Sequence, residues 1–133
     1  MKIEEKRTGI RHYSLCLATI VLLATSSAAQ EVDYPDEFNE PMALHPEAMG
    51  DFHFPISSDS ELAQQYFNQG FQLMYAFAKL DAARSFHAAQ QAAPECAICY
   101  WGEAWAWGSY LNGAMTTAEA PHAWRSEEHT SEL

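Results

Sequence analysis

Cys96 and Cys99 are the residues of this chain whose type and spacing come closest to a reactive or metal-binding site. Three interpretations are open: a structural disulfide or two packed thiols, a metal site completed by His87 or His53, and a redox pair. The first is favoured in an exported chain, because disulfides persist in oxidising compartments. A redox pair of this spacing ordinarily accompanies a βαβ pattern, and no strand is predicted here. Tyr100 follows Cys99 where covalent haem attachment requires His, which excludes that attachment.

The other polar side chains form no catalytic pattern. The histidines of residues 30–124 are dispersed, with no two of them four residues apart: His45, His53, His87 and His122. There is no His-Glu-x-x-His, no Gly-rich phosphate loop and no serine in a nucleophile elbow. We therefore expect no enzymatic activity and no cofactor, and no metal outside the Cys96/Cys99 alternative.

Glu103 is the carboxylate with the most unusual sequence setting, because it lies in the tryptophan-rich stretch 101–107. A buried carboxylate is costly unless it is hydrogen-bonded. We expect Glu103 to accept a hydrogen bond from a neighbouring indole or backbone group, and we assign it no catalytic role.

The two ends of the chain are set apart from the fold. Residues 15–24 form an apolar run that is too short to span a bilayer of roughly 30 Å. With basic residues before it and small residues after it, this run predicts a signal peptide at 1–29 with cleavage before Gln30. Residues 125–133 are polar and aperiodic, and they resemble the translation of a sequencing-library adapter. We therefore expect the native sequence to be truncated near Trp124.

Charge limits the partners of the chain. Its formal net charge is −11, and the only cations of residues 30–124 are Lys79 and Arg84. Affinity for nucleic-acid phosphates and for anionic lipid rests on Lys and Arg. The composition thus argues against a nucleic-acid partner and against membrane contact beyond the signal peptide. It suits an acidic protein that is periplasmic or extracellular.

Hydrophobic spacing predicts an all-α domain at residues 58–124, after an extended Pro-rich leader at 30–57. A capping box of Ser58 and Glu61 is expected to start the first helix, because each side chain would bond an otherwise free backbone N–H.

Apolar residues in this domain recur at three- and four-residue steps up to Phe77, and an alanine-rich stripe with the same steps follows. Pro94 ends that second helix, since proline cannot continue it. A third helix is expected at about 95–110 and a weaker fourth one from Thr116. No strand is expected.

Small and large apolar residues mark the pairing of the first two helices: Tyr66, Gly70, Ala82, Phe86, Ala89 and Pro94. Their spacing resembles the tetratricopeptide repeat (TPR), a helix–turn–helix unit of about 34 residues. In such a unit Gly70 and Ala82 permit close helix approach, and Phe86 fills the space between the helices. Gln69 and Leu73 depart from the family's Leu and Tyr. The resemblance implies one complete unit and a partial second unit, in which Ala104 takes the place of Gly70.

The resemblance also implies a concave groove, lined by the first helices of successive units, that binds a protein or peptide. Mapping that face onto this sequence gives Gln64, Phe67, Phe71, Met74, Tyr75, Ile98, Trp101 and Trp105. Alternatively, the aromatic rings of this set belong to the core and are covered by residues 52–56 or by a missing C-terminal part. The function implied is an exported protein-interaction scaffold without catalysis. The alternative is a metal-binding or redox-linked protein that uses Cys96 and Cys99.

Overall fold

The computed structural model describes residues 32–132, so the predicted signal peptide lies outside the described residues. Within them the chain is all-helical, as predicted, and its only β-type pairing is an isolated bridge between Tyr110 and Gly113. None of these helices is long and apolar enough to cross a membrane. A 3₁₀ turn at Asp36–Asn39 precedes five α-helices: α1 (Pro46–Met49), α2 (Glu61–Tyr75), α3 (Lys79–Ala92), α4 (Ala97–Trp107) and α5 (Ala120–Glu132).

The start of α2 differs from the predicted capping box. Ser60 is the N-cap, and its Oγ accepts a 3.2 Å hydrogen bond from the Ala63 backbone N–H. Ser58 lies outside the helix, where its hydroxyl accepts from the Ser60 N–H and donates to Glu95 Oε1 at 3.0 Å. Two nearby serines compete for the capping role, and the one directly before the first helical residue takes it.

The helix ends follow the predicted breaks only in part. Phe77 adopts a left-handed φ of 66° in the turn that joins α2 to α3. The helix α3 ends at Ala92, just before Pro94. The helix α4 is shorter than predicted at both ends: it begins at Ala97, and it stops at Trp107 with Gly108 as its C-cap rather than continuing to about residue 110.

The core is built around the Phe86 ring. Each helix from α2 to α5 packs on the next one along the chain, and α2 also contacts α4. A Cβ added at Gly70 would lie 3.0 Å from the Phe86 ring, and one at Gly102 would lie 2.5 Å from it. Phe86 is thus enclosed by two glycines, one on α2 and one on α4. The approach of α4 to Phe86 occurs at Gly102, a contact that the repeat spacing does not predict.

The segment before α2 is more ordered than an extended leader, since it contains the 3₁₀ turn and α1. The Tyr66 hydroxyl donates to the Met42 carbonyl at 2.9 Å. The Gln69 amide donates to the Ala43 carbonyl and accepts from the His45 N–H, each at 2.8 Å. Gln69 is buried, and its side-chain amide satisfies backbone groups of the preceding segment.

The helix α5 runs through the predicted boundary at Trp124. The sequence predicts that residues 125–133 lie outside the fold, but residues 125–132 continue this helix. The helix α5 packs on α4. An adapter-derived sequence can still be helical, so the origin of these residues stays a prediction.

Candidate functional site

An aromatic surface, here called the aromatic face, is formed by Phe71 and Tyr75 of α2 with Trp101 and Trp105 of α4. The Phe71 ring centroid lies 5.4 Å from that of Tyr75 and 5.5 Å from that of Trp105. The Trp101 and Trp105 rings are stacked with centroids 5.5 Å apart. Tyr75 is 68% exposed and Trp101 is 44% exposed, whereas Phe71 and Trp105 are half-buried. The face therefore presents two open rings on a partly buried aromatic base.

The rest of the predicted groove lies elsewhere. Phe67 and Met74 are fully buried core residues, so they do not line an open surface. Ile98 is partly buried and packs against the same core. Gln64 lies at the edge of the face, where it bonds the preceding segment of the chain. Of the predicted residues, the structure thus brings together on an accessible surface the four that form the aromatic face.

Residues 52–56, here called the strap, cover one end of the aromatic face. The Phe52 and Phe54 rings stack on Phe71 with centroids 5.0 and 5.8 Å from it. Ile56 packs against the core. This is the covering by residues 52–56 that the sequence left open, but it reaches only the Phe71 end and leaves Tyr75 and Trp101 exposed.

Two amide side chains, one turn apart on α2, hold the backbone of the strap. The Phe54 N–H donates to Asn68 Oδ1 at 3.1 Å, and the Ile56 N–H donates to Gln64 Oε1 at 3.1 Å. In return Gln64 Nε2 donates to the Phe54 carbonyl at 2.7 Å. Gln64 Nε2 also donates to Asn68 Oδ1 at 2.9 Å, which fixes the two amides relative to each other.

A second polar centre, here called the Glu103 hub, lies inside the protein. Glu103 is fully buried, and four donors reach its carboxylate at 2.5 to 3.3 Å: Tyr34 Oη, Gln90 Nε2, Trp107 Nε1 and Arg125 Nη2. The Trp107 bond confirms the predicted indole partner. His87 Nδ1 lies 3.4 Å from Glu103 Oε2. Since donors surround the acceptor oxygens, the hub ties elements together and presents no free carboxylate to a substrate.

Aromatic rings close the hub from the side of Tyr34. Phe38 stacks on Tyr34 at 4.5 Å, and His122 stacks on Trp107 at 4.4 Å. His122 Nδ1 is buried and has no hydrogen-bond partner among the described residues. Burial lowers the pKa of His122, against the opposing attraction of Glu103 and other carboxylates. The lowered pKa favours the neutral imidazole, whose ring stacks on Trp107.

The cysteine pair lies at the start of α4. Cys96 and Cys99 are joined by a disulfide, and both residues are fully buried. A sulfur in a disulfide offers no thiolate to a metal, and buried cysteines are ordinarily inert. Among residues 32–132 no group of three or more His, Cys, Asp or Glu side chains is placed to hold a metal ion.

Comparison with protein-family models, with curated proteins and with solved structures gives no significant match. The class that the fold defines is an all-helical domain of successively packed helices.

Proposed function

We propose that this chain is an exported, TPR-type interaction scaffold that binds a protein or peptide partner through the aromatic face and performs no catalysis. The observation that carries the proposal is the exposure of Tyr75 and Trp101 beside the half-buried rings of Phe71 and Trp105. Aromatic anchors in desolvated sites supply much of the binding energy of protein interfaces. Exposed contiguous apolar surface is also a common mark of an interaction site.

The TPR-type assignment is supported by the packing of α2 and α3. Gly70, Ala82 and Ala89 are all buried, and the Phe86 ring of α3 fills the space beside Gly70 of α2. The helices α4 and α5 would form the second unit. Gly102 of α4 packs against Phe86 of α3, and this contact would join the second unit to the first.

The partner we propose is apolar or aromatic where it meets the face. With a formal net charge of −11, this chain repels polyanions at long range, so a nucleic acid is excluded from the proposal. Export is proposed from the signal-peptide pattern at residues 1–29. The Cys96–Cys99 disulfide supports it, because disulfides persist in oxidising compartments.

The test is a selection of peptides from a random displayed library on the full chain, followed by affinity measurements with the selected peptides. Trp101→Ala and Tyr75→Ala should each weaken binding at least tenfold, about 1.4 kcal/mol. Leu111→Ala is the matched control, because Leu111 is 85% exposed and lies outside the aromatic face. Equal binding by all four proteins, or a loss only in Leu111→Ala, would overturn the assignment of the face.

A further inference from the structure

The strap binds α2 in the manner of a peptide ligand. Its backbone is held at the Phe54 N–H, the Phe54 carbonyl and the Ile56 N–H by Gln64 and Asn68. Its two phenylalanine rings, at alternate positions, stack on Phe71. Main-chain bonds supply affinity for any extended segment, and the side chains at alternate positions supply selectivity.

The strap is also held in a way that permits its release. Phe52 and Phe54 are each 40% exposed, and residues 52–56 form no regular secondary structure. Among the described residues, the hydrogen bonds and ring contacts of Phe52, His53, Phe54 and Ile56 go to side chains of α2. Surface segments with few buried contacts open at a low free-energy cost.

The occupied and open parts of the aromatic face are continuous. Phe71, which the strap covers, contacts both Tyr75 and Trp105, and Trp105 stacks on the exposed Trp101. A segment that extends along the whole face would therefore compete with the strap for Phe71. The chemistry that fits this site is the one the strap displays: an extended peptide with aromatic side chains two positions apart.

We propose that the strap is an intramolecular occupant that gates the aromatic face, and that the partner is an extended peptide with aromatic residues at alternate positions that displaces it. This inference rests on the proposed function, because it concerns the same face. A tethered segment competes at an effective concentration on the order of millimolar. The wild-type protein should therefore bind such a peptide weakly, and loosening the strap should strengthen binding.

The experiment uses a synthetic peptide with the sequence of residues 50–58, added to the full chain while Trp fluorescence is followed. Phe52→Ser/Phe54→Ser should bind this peptide about tenfold or more tightly than the wild type, because the competing strap no longer stacks on Phe71. Adding Asn68→Ala to the loosened protein should remove the gain. A peptide with both phenylalanines replaced by serine should bind neither protein.

Circular dichroism checks that the loosened protein keeps its helices. Phe52→Ser alone, which retains Phe54, is the milder second variant and should give a smaller gain in the same direction. Equal affinity of the wild-type and loosened proteins for the peptide, or no binding to a folded loosened protein, would overturn the proposal. A wild-type dimer that dissociates when the peptide binds would also overturn it, since the occupant would then be a second copy's strap.

The outcomes separate this inference from the proposed function. If library peptides bind in a Trp101-dependent way but the strap variants do not change peptide affinity, the scaffold function is supported and the gating by the strap is contradicted. The opposite result is that the strap peptide binds Phe52→Ser/Phe54→Ser but no library peptide depends on Trp101 or Tyr75. In that case the strap does occupy a peptide-binding site on α2, but the exposed part of the aromatic face is not the binding surface.

Discussion

The Tyr34 hydroxyl donates a 2.6 Å hydrogen bond to Glu103 Oε1, joining residues that are 69 positions apart in the chain. Tyr34 lies before the first helical turn, and Glu103 is buried in the middle of α4. This bond fixes the beginning of the described chain to the helical core. The segment before α2 is therefore part of the folded unit, and the strap is held between two anchored ends, the hub and α2.

Glu103→Gln should be strongly destabilising. The carboxylate accepts bonds from Tyr34, Gln90 and Trp107, and an amide has one acceptor oxygen and brings two donors of its own. Leaving buried donors unpaired costs about 1–3 kcal/mol each, so we expect a loss of about 3 kcal/mol. The measurement is the free energy of unfolding in urea.

A graded pair of variants controls this prediction. Tyr34→Phe removes one donor and should cost about 1 kcal/mol. Asp51→Asn changes an exposed carboxylate and should stay within about 0.5 kcal/mol of the wild type. If Glu103→Gln proved as mild as Asp51→Asn, the hub would not be a stabilising centre.

Gly102→Ala should destabilise the protein even though alanine favours helices. Its Cβ would lie 2.5 Å from Phe86 Cδ1, so the ring must shift in a packed core, at a cost of about 2 kcal/mol. Gly70→Ala meets the same ring at 3.0 Å and should cost less. Thermal unfolding measures both variants.

Two controls accompany the glycine variants: a glycine away from Phe86, and a smaller side chain in place of Phe86. A Cβ at Gly113 meets nothing within 4 Å, so Gly113→Ala should be neutral within about 0.5 kcal/mol. Gly102→Ala combined with Phe86→Leu should lose less stability than the sum of the two single changes, because the shorter side chain makes room. Strict additivity would mean that Phe86 does not limit the approach of α4.

The features that could be predicted from the sequence are those determined by residues close together in the chain. The apolar residues lie within α2 and α3, and Pro94 lies just after the end of α3, so the hairpin of these two helices could be predicted from local sequence. The groove was mapped less well, because a helical period identifies one apolar stripe without saying which part of it faces the next helix. Phe67 and Met74 face the core, and the repeat register did not place Gly102 against Phe86.

Of the hydrogen bonds of the Glu103 hub, only the one from Trp107 could be predicted from the sequence. Trp107 lies one helical turn from Glu103, and a tryptophan-rich stretch around a carboxylate signals that contact. Tyr34 and Gln90 come from other elements, and no spacing in the sequence joins them to α4. Gln69 lies among the apolar residues of α2, and a polar residue there was a usable signal that buried backbone groups needed a partner.

The Cys96–Cys99 disulfide should make a modest contribution to stability. It closes a loop with a sequence separation of 3, and loops this short give an entropic stabilisation of only about 2 kcal/mol. Reductant should lower the free energy of unfolding by that amount in the wild type and leave Cys96→Ser/Cys99→Ser unaffected. One equivalent of bound metal that is lost in Cys99→Ser would instead favour the metal-binding alternative.

The stability of the protein should fall as the pH drops below about 6.5, the ordinary pKa of histidine. Burial lowers the pKa of His122 in the folded state, so the unfolded chain binds the proton first. The contribution of His122 is fully present above the unfolded pKa and is lost as the pH falls through the lower, folded pKa. Urea unfolding from about pH 8 to about pH 5 measures this slope.

His122→Phe should flatten that part of the slope and keep the stack on Trp107, whose ring centroid is 4.4 Å away. Because it also removes the unpartnered Nδ1, it should be as stable as the wild type or about 1 kcal/mol more stable at high pH. His122→Gln should flatten the slope equally but lose stability at every pH, since it cannot stack. If His122→Phe kept the wild-type slope, the titrating group would be another one, and the neutral, buried state of His122 would not govern the response to acid.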